Sequence, residues 1–139
     1  MNRTIKFRGK CSPQSKYKGE WVTGSLVVPE QIQDNEVLIV VAHSDNCKIT
    51  YHVDKNTVGQ FTDKCDMNGK VIYEGDILVV KDSPEICVIV EWNDAHDAMC
   101  TRFKGEEKCG CTTLGEMLHL LKWIVVGNIY DNPELIMED

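Results

Sequence analysis

The sequence lacks any long apolar run. None of its 139 residues lie in a stretch close to the ~20 apolar residues that a membrane-spanning helix needs. The segment from Met1 to Lys6 has no apolar central region of the kind found in secretion signals, which predicts a cytoplasmic location and no membrane partner. Repeats, low-complexity tracts and Gly/Ser linkers are also missing. One domain, or two small subdomains sharing a core, is therefore expected.

Familiar catalytic motifs are missing as well. The chain has no glycine-rich phosphate loop and no Gly-x-Ser-x-Gly elbow. His43-Ser44-Asp45 contains the residue types of a catalytic triad, but adjacent triad residues do not converge on one substrate atom. Asp94, His96 and Asp97 form an acid–base cluster whose polar setting between two strands is typical of a loop. The protein is predicted not to be an enzyme, with a site near Asp94 and His96 as the alternative.

The seven cysteines are many for this length, and their number is odd. Without a secretion signal they are expected to be reduced thiols, most of them buried as small hydrophobic residues. Cys87, inside the apolar run from Ile86 to Val90, is predicted to be a core strand residue of this kind. A disulfide framework is not expected.

A metal site is the competing interpretation of four residues. Cys100, Cys109, Cys111 and His119 could present three thiolates and an imidazole to zinc. Structural zinc sites, however, commonly use Cys-x₂₋₄-Cys knuckles in pairs, and one Cys-x-Cys without a second pair is a weak signal. We therefore predict no bound metal and no cofactor.

Charge argues against nucleic acid as a partner, with one local exception. The net charge is −7 and the isoelectric point about 5.1, so carboxylates outnumber the cations that would neutralise phosphates. The N-terminal segment nevertheless holds a basic cluster of Lys6, Arg8, Lys10, Lys16 and Lys18. A solvated strand face explains this cluster equally well. A nucleic-acid-binding module is favoured if the cluster and Trp21 share one exposed face.

Strand patterns dominate the first half of the chain. Ile5 to Arg8 alternates apolar and basic residues, and Glu20 to Val28 is a second strand with a bulge or bend at Gly24. Glu36 to Ala42 is apolar almost throughout, which predicts burial on both faces. Because so short a chain offers little material to cover both faces, a homo-oligomer is expected. Cys47 to Val53 alternates again, with Ile49, Tyr51 and Val53 on one face.

The second half predicts further strands and a single helix. Its strands are Ile77 to Val80, Ile86 to Trp92, Ala98 to Phe103 and Trp123 to Gly127, with a two-residue hairpin turn at Asn68-Gly69. The 3.6-residue spacing of apolar residues predicts a helix over 114–121, and Thr113 and Glu116 form a capping box. The predicted fold is mainly β, with small curved sheets, a partly open barrel in the second half and one short α-helix. We place an N-terminal β subdomain at residues 1–55 and the barrel subdomain at 56–139.

Five segments together resemble the YopX family of proteins from bacteriophages and prophages. They are Ile5 to Gly9, Trp21 to Leu26, Thr57 to Thr62, Asp66 to Asp76 and Gly127 to Leu135, and they span nearly the whole chain in order. The resemblance implies an SH3-like barrel in the second half and a bacterial host cell as the setting. It implies no established activity. We therefore expect a phage or prophage accessory protein that acts as a non-enzymatic protein-binding or assembly module with an unknown protein partner.

Two of these segments also supply the candidate site. Tyr73, Glu74, Asp76, Tyr130 and Asn132 could line a shared binding groove. These residues can also be explained by structural roles, without a binding groove. Gly75 permits a backbone conformation that other residues avoid, Asp76 can accept hydrogen bonds from nearby backbone N–H groups, and Asn132-Pro133 ends the last strand.

Overall fold

The computed structural model describes residues 3–43, 46–107 and 112–137. Within these ranges the chain forms ten β-strands, one α-helix and two short 3₁₀ turns, so the prediction of a mainly β protein with one helix is confirmed. No helix in the described part of the chain is long and apolar enough to span a bilayer. The chain divides into two compact units, Met1–Phe61 and Thr62–Asp139. The subdomain boundary that we placed after residue 55 lies inside the first unit.

The first unit is an antiparallel sheet. Its strands are β1 (Phe7–Lys10), β2 (Trp21–Val27), β3 (Glu36–Ala42), β4 (Lys48–Asp54) and the beginning of β5 (Gly59–Cys65), in the order β4-β3-β2-β1-β5. A 3₁₀ turn, Lys55–Thr57, joins β4 to β5, and the Asp54 carboxylate accepts a hydrogen bond from the Asn56 N–H at its start. All pairings within this sheet are antiparallel, so alternate side chains of each strand face opposite sides.

The sheet curls until the end of β1 meets β4. Cys11 forms an isolated bridge with Val53, and the Ser12 N–H donates to the carbonyl of His52. The concave inner face encloses a core of buried Cys11, Val37, Ile39 and Val53, surrounded by partly buried Tyr17, Val22, Leu26, Val41, Tyr51 and Val58. This small core holds the first unit together.

The prediction that β3 is buried on both faces is wrong. Val37 and Ile39 are 4% and 0% exposed, but Leu38 and Val40 on the opposite side are only half-buried, and Ala42 is exposed. The sheet is antiparallel and packs against a core on one side only. The apolar residues on the other face of β3 are therefore not buried, although the sequence of the strand is apolar almost throughout.

Gly24 marks the place where β2 changes partner. Residues Trp21 to Gly24 pair with β1, whereas Ser25 to Val27 pair with β3. A Cβ atom built at Gly24 would collide with the carbonyl oxygen of Val40. Glycine is therefore required here because two backbones approach closely, at the position where the sequence predicted a bulge or bend.

The second unit contains a four-stranded antiparallel sheet and the helix. After the remainder of β5 come β6 (Val71–Tyr73), β7 (Asp76–Val80), β8 (Ser83–Asn93), β9 (Ala98–Phe103), α1 (Leu114–Leu120), β10 (Trp123–Asn128) and a 3₁₀ turn, Pro133–Leu135. The sheet order is β10-β7-β8-β9, and register shifts near Val79 and Val125 bend it into a half-barrel. The strand buried on both faces is β7, whose five residues all lie in the interior.

Two hydrophobic clusters cover the faces of β7. One is built from Ile72, Leu78, Val80, Val88, Val90, Leu114, Met117 and Trp123, and the other from Ile77, Val79 and Cys87. Trp123 is 1% exposed, and its indole N–H donates to the Met117 carbonyl at 2.8 Å. That bond ties the helix to the following strand.

The helix and the hairpin turn differ in detail from their predictions. Thr113 caps α1 by accepting a hydrogen bond from the Glu116 N–H, but the Glu116 carboxylate accepts from the Thr113 hydroxyl instead of from a backbone N–H. At the hairpin, Asp66 accepts from the Asn68 and Lys70 N–H groups, and only Gly69 has a positive φ, of 83°. The turn is therefore organised by Asp66 and is longer than the predicted two residues.

Candidate functional site

The five predicted groove residues lie around one corner of the second unit. Gly75 has φ of 94°, donates its N–H to the Val90 carbonyl at 2.8 Å and accepts from the Ile129 N–H at 3.0 Å. The Asp76 carboxylate accepts from the Tyr73 N–H at 2.8 Å, as the structural explanation predicted. Tyr73 and Asp76 are only 5% and 2% exposed. The corner is thus fixed by backbone hydrogen bonds from both neighbouring segments.

The closing segment folds on itself beside this corner. The side-chain oxygen of Asn128 accepts from the N–H groups of Tyr130 and Asp131, and that of Asn132 accepts from the Asn128 N–H at 3.2 Å. The Asn132 carboxamide occupies the space that a Cβ atom of Gly127 would need. Asp76 and Asn132 therefore have structural roles that account for them. A groove that also uses the half-buried Glu74 and Tyr130 stays a prediction.

The acid–base cluster of the enzyme alternative lies in an exposed turn between β8 and β9. The side-chain oxygen of Asn93 accepts from the N–H groups of Ala95 and His96, and the Trp92 indole N–H donates to Asp94 at 2.9 Å. Residues 94 to 97 are all exposed. These contacts explain the turn by its own hydrogen bonds, and catalysis there stays an untested alternative.

The cysteines divide by burial. Cys11 and Cys87 are 3% and 6% exposed, and burial raises the pKa of both thiols, with the Glu20 charge adding to the effect at Cys11. Cys47 and Cys65 are exposed. Cys87 packs in a cluster with Ile77 and Val79, as predicted.

The four residues of the zinc alternative are only partly described. Cys100 is fully buried in β9 and His119 is exposed on α1, whereas Cys109 and Cys111 lie outside the described residues. Across 3–43, 46–107 and 112–137, no group of three or more His, Cys, Asp and Glu side chains is arranged to hold a metal ion. The absence of a metal therefore stays a prediction.

The basic residues in β1 and directly before it face away from the core of the first unit. Gly9 and Cys11 are buried against the core, so Lys6, Arg8 and Lys10, at alternate positions, point to the opposite side. We call this side of the sheet the outer face. Its further members follow from the register and include Trp21, Thr23, Ser25, Val27, Glu36, Leu38, Val40, Ala42, Lys48, Thr50, His52 and Asp54.

Aromatic rings lie beneath the cations of the outer face. The Arg8 guanidinium carbon is 4.8 Å from the centre of the Trp21 ring, and the Lys10 Nζ is 5.9 Å from the same centre. The Lys6 Nζ lies 4.7 Å from the centre of the Phe61 ring, on the strand at the other side of β1. Each contact is within the range of an attractive cation–π interaction. Around β1, the outer face thus carries two aromatic residues with three cations over them.

A groove of about 630 Å³ lies on the outer face, and of the paired side chains Lys6 belongs to its lining. Its lining residues are Ile5, Lys6, Thr23, Gly24, Ser25, Val40, Val41, Ala42 and Lys48. Among the described residues that line the groove, Lys6 and Lys48 are charged and none is a carboxylate; Asp45 lies outside the described residues. Thr23, Ser25 and Lys48 are exposed. We call this concavity the outer groove, and its chemistry suits an anionic ligand.

Charge is divided unequally between the two units. Residues Met1–Phe61 contain eight Lys and Arg against six Asp and Glu, a net charge of +2. Residues Thr62–Asp139 contain seven against sixteen, a net charge of −9. The first unit is therefore positively charged although the whole chain has a net charge of −7. Only the second unit is acidic enough to disfavour a polyanionic partner.

Sequence reasoning found part of the outer face. It singled out Lys6, Arg8, Lys10 and Trp21, which the structure brings together, but it missed Phe61 and Lys48. Both are far from the cluster in sequence, and only strand pairing brings them near it. Of the remaining basic residues, Lys16 lies 5.0 Å from the centre of the Tyr17 ring in the segment after β1.

The fold defines a class of small, mainly β proteins, each made of two compact units, the first with a curled sheet and the second with a half-barrel. The family model described as YopX protein matches residues 6–137, and the chain belongs to the YopX family. Protein EF1440 from Enterococcus faecalis, known from a crystal structure, is similar in fold, with a TM-score of 0.56 and 21% identity over 97% of this chain and 99% of that one. No curated protein matches the chain.

Proposed function

We propose that the protein is a non-enzymatic binding module that binds nucleic acid on the outer face of its first unit. One observation carries the proposal: Lys6, Arg8 and Lys10 lie over Trp21 and Phe61, and Lys6 also lines a groove in which none of the described lining residues is a carboxylate. In the setting that the family resemblance implies, it would act as an accessory protein of a bacteriophage or prophage in the host cytoplasm.

The cations of the outer face match the phosphate groups of a nucleic acid. Lysine and arginine attract phosphate groups and release condensed counterions, which supplies affinity without sequence preference. The aromatic rings hold these cations on the outer face through cation–π attraction. The positive charge of the first unit favours this contact, whereas the charge of −9 on the second unit would repel phosphates and keep the affinity modest.

Charge removal at the outer groove tests the proposal. We expect the double variant Lys6→Gln with Lys48→Gln to bind fluorescein-labelled DNA and RNA about tenfold more weakly than the unchanged protein, measured by fluorescence anisotropy at low salt. Two lost phosphate contacts should also flatten the plot of log Kd against log salt concentration by about 1.4, at roughly 0.7 for each contact to a single strand.

A second pair of lysines provides the matched control. Lys81 and Lys122 are exposed in the second unit, and replacing both with glutamine changes the net charge by the same amount. This control variant should bind as the unchanged protein does. If both double variants bind nucleic acid equally weakly, the net charge and not the outer groove determines the affinity, which would contradict the proposal. An absence of binding to any nucleic acid at low salt would also refute it.

A protein-binding or assembly role is the second candidate, and exposed apolar residues favour it. Val27, Val28 and Ile32 are 44%, 57% and 42% exposed at and after the end of β2, and Leu38 beside Val27 is half-buried. A second copy of the chain would remove this surface from water. In this role the protein would self-associate through the end of its first unit.

Light scattering tests this second candidate. We expect a dimer or larger species at high micromolar concentration, and the variant Val27→Lys should shift the population toward monomer. Val126, 40% exposed on β10, is the control: Val126→Lys should leave the size unchanged. A monomeric unchanged protein would reject self-association.

A further inference from the structure

We infer that the open edge of β4 binds an extended peptide segment of another protein, which joins the sheet of the first unit as an additional strand. The site is a cavity of about 430 Å³ beside this edge, which we call the edge cavity. The inference is independent of the proposed nucleic-acid binding, because the described lining residues of the edge cavity and of the outer groove have no member in common.

The register shows which backbone groups of β4 point away from β3. Lys55, directly after β4, donates its N–H to the carbonyl of Asn35, directly before β3. In an antiparallel pair the backbone groups of successive residues point to opposite sides of the strand, so the odd-numbered residues of β4 bond toward β3. The even-numbered residues therefore direct their N–H and carbonyl groups to the outer edge of the sheet, and these residues are Lys48, Thr50, His52 and Asp54.

The segment after β1 covers only the last part of this edge. The Ser12 N–H donates to the His52 carbonyl at 3.0 Å, and the Ser12 carbonyl then accepts from the Ser15 N–H, which closes a turn that leads away from β4. In the described part of the chain β4 is the last strand of its sheet, and no backbone group bonds to Thr50 on this side. Thr50 can therefore pair with the backbone of a further strand.

The edge cavity lies where such a strand would run. Thr50, Tyr51 and His52 all belong to its lining, although Tyr51 packs toward the core and its two neighbours point to the outer face. A space that successive residues of one strand share lies along the edge of the strand and not on one of its faces. The segment from Ser12 to Tyr17 forms the opposite wall, and the Tyr17 and Tyr51 rings, 5.3 Å apart, hold the two walls together.

Two side chains of the lining indicate the chemistry of the peptide. Ser12 is 1% exposed and its Oγ has no hydrogen-bond partner among the described residues, a deficit that a polar group of a bound peptide would remove. The Glu36 carboxylate is bonded to the His52 imidazole at 3.0 Å, whereas the exposed Lys16 forms no ion pair within the described residues. Lys16 therefore favours a peptide with a carboxylate side chain.

A synthetic peptide and its two N-methylated isomers test the inference. The probe has about nine residues, in which threonine and valine alternate around a central glutamate, because β-branched residues favour an extended chain. We expect a dissociation constant below about 1 mM by fluorescence anisotropy. One isomer carries N-methyl groups at the odd-numbered residues and the other at the even-numbered residues. Since only one of these two sets of N–H groups can face β4, one isomer should bind like the probe and the other at least tenfold more weakly.

Two substitutions in the protein test the same contacts. Thr50→Pro removes an N–H that points to the open edge and leaves the bonds between β3 and β4 in place, so it should weaken binding of the probe at least tenfold. Lys16→Glu should weaken binding about fivefold, and a probe with a central lysine should recover the loss. Lys18→Glu is the matched control, because Lys18 is exposed in the same segment and is not a lining residue, and it should leave the affinity unchanged.

Three results would overturn the inference. The first is an absence of binding below about 1 mM. The second is equal affinity of the two N-methylated isomers, because the peptide would then bind without main-chain pairing. The third is a dimer that Thr50→Pro converts to monomer in light scattering, because a second copy of the chain would then occupy the edge. Circular dichroism checks the fold of each variant, and if Thr50→Pro does not fold, the two isomers decide the matter with the unchanged protein.

Discussion

Replacing Gly24 with alanine is expected to lower the free energy of unfolding of the first unit by about 3 kcal/mol. The added Cβ would collide with the carbonyl oxygen of Val40, and its carbon atom would lie 3.0 Å away. Both belong to the backbone of β3, which cannot move aside without disturbing its pairing with β2 and β4. Chemical denaturation followed by far-UV circular dichroism measures the change.

Two other substitutions show whether the close approach is responsible. Gly9→Ala brings its Cβ within 3.0 Å of a Val53 methyl group, and because a side chain can shift, we expect a smaller loss of about 1 kcal/mol. Thr23→Ala, at the exposed neighbouring position, should change stability by less than about 0.5 kcal/mol. A Gly24→Ala variant as stable as Thr23→Ala would contradict the close contact between β2 and β3.

Replacing Gly75 with valine should lower the free energy of unfolding by roughly 1–3 kcal/mol, and we expect the upper part of that range. At φ of 94° a β-branched side chain is strained, and both backbone groups of Gly75 are bonded, to Val90 and Ile129. Relief of the strain by rotation of the backbone would break these two bonds. The denaturation midpoint of the variant gives the result.

Gly69→Val is the control for strain alone. Gly69 has a similar φ of 83°, but no atom lies within 4 Å of the place where its Cβ would be. It should therefore lose less stability, about 1 kcal/mol. Gly110, a glycine of the segment between β9 and α1, lies outside the described residues. Equal midpoints for the unchanged protein and Gly75→Val would show that the corner tolerates a side chain, and a binding role would then have to explain its glycine.

Local features of the fold could be predicted from the sequence because their causes are local. β3 was placed at Glu36 to Ala42 and is found there, and α1 was predicted over 114–121 and ends one residue earlier. Alternation on β4 predicts that Ile49, Tyr51 and Val53 share one face; Tyr51 and Val53 pack in the core, whereas Ile49 is exposed. In each case hydrophobic periodicity or a capping residue determines the element without help from distant segments.

Features that depend on distant partners could not be predicted in this way. β3 and β7 are both apolar runs, yet only β7 is covered on both sides, because α1 and its neighbours pack on one side and the closing segment on the other. The apolar sequence of β3 does not indicate that one of its faces stays partly exposed. For the same reason only part of the outer face could be predicted. Phe61 lies beside Lys6 because β5 pairs with β1, and no local sequence pattern specifies that pairing.

The three tryptophans give the protein a set of optical reporters. Trp123 is 1% exposed and hydrogen-bonded in the second unit, so its fluorescence should be blue-shifted and resistant to acrylamide, whereas Trp92 in the same unit is 45% exposed and open to the quencher. Trp21 is the single tryptophan of the first unit, and the cations over its ring make its emission sensitive to their movement. In single-tryptophan variants, fluorescence would therefore report the thermal unfolding of each unit separately. Such variants would show whether the two units unfold in one transition or in two.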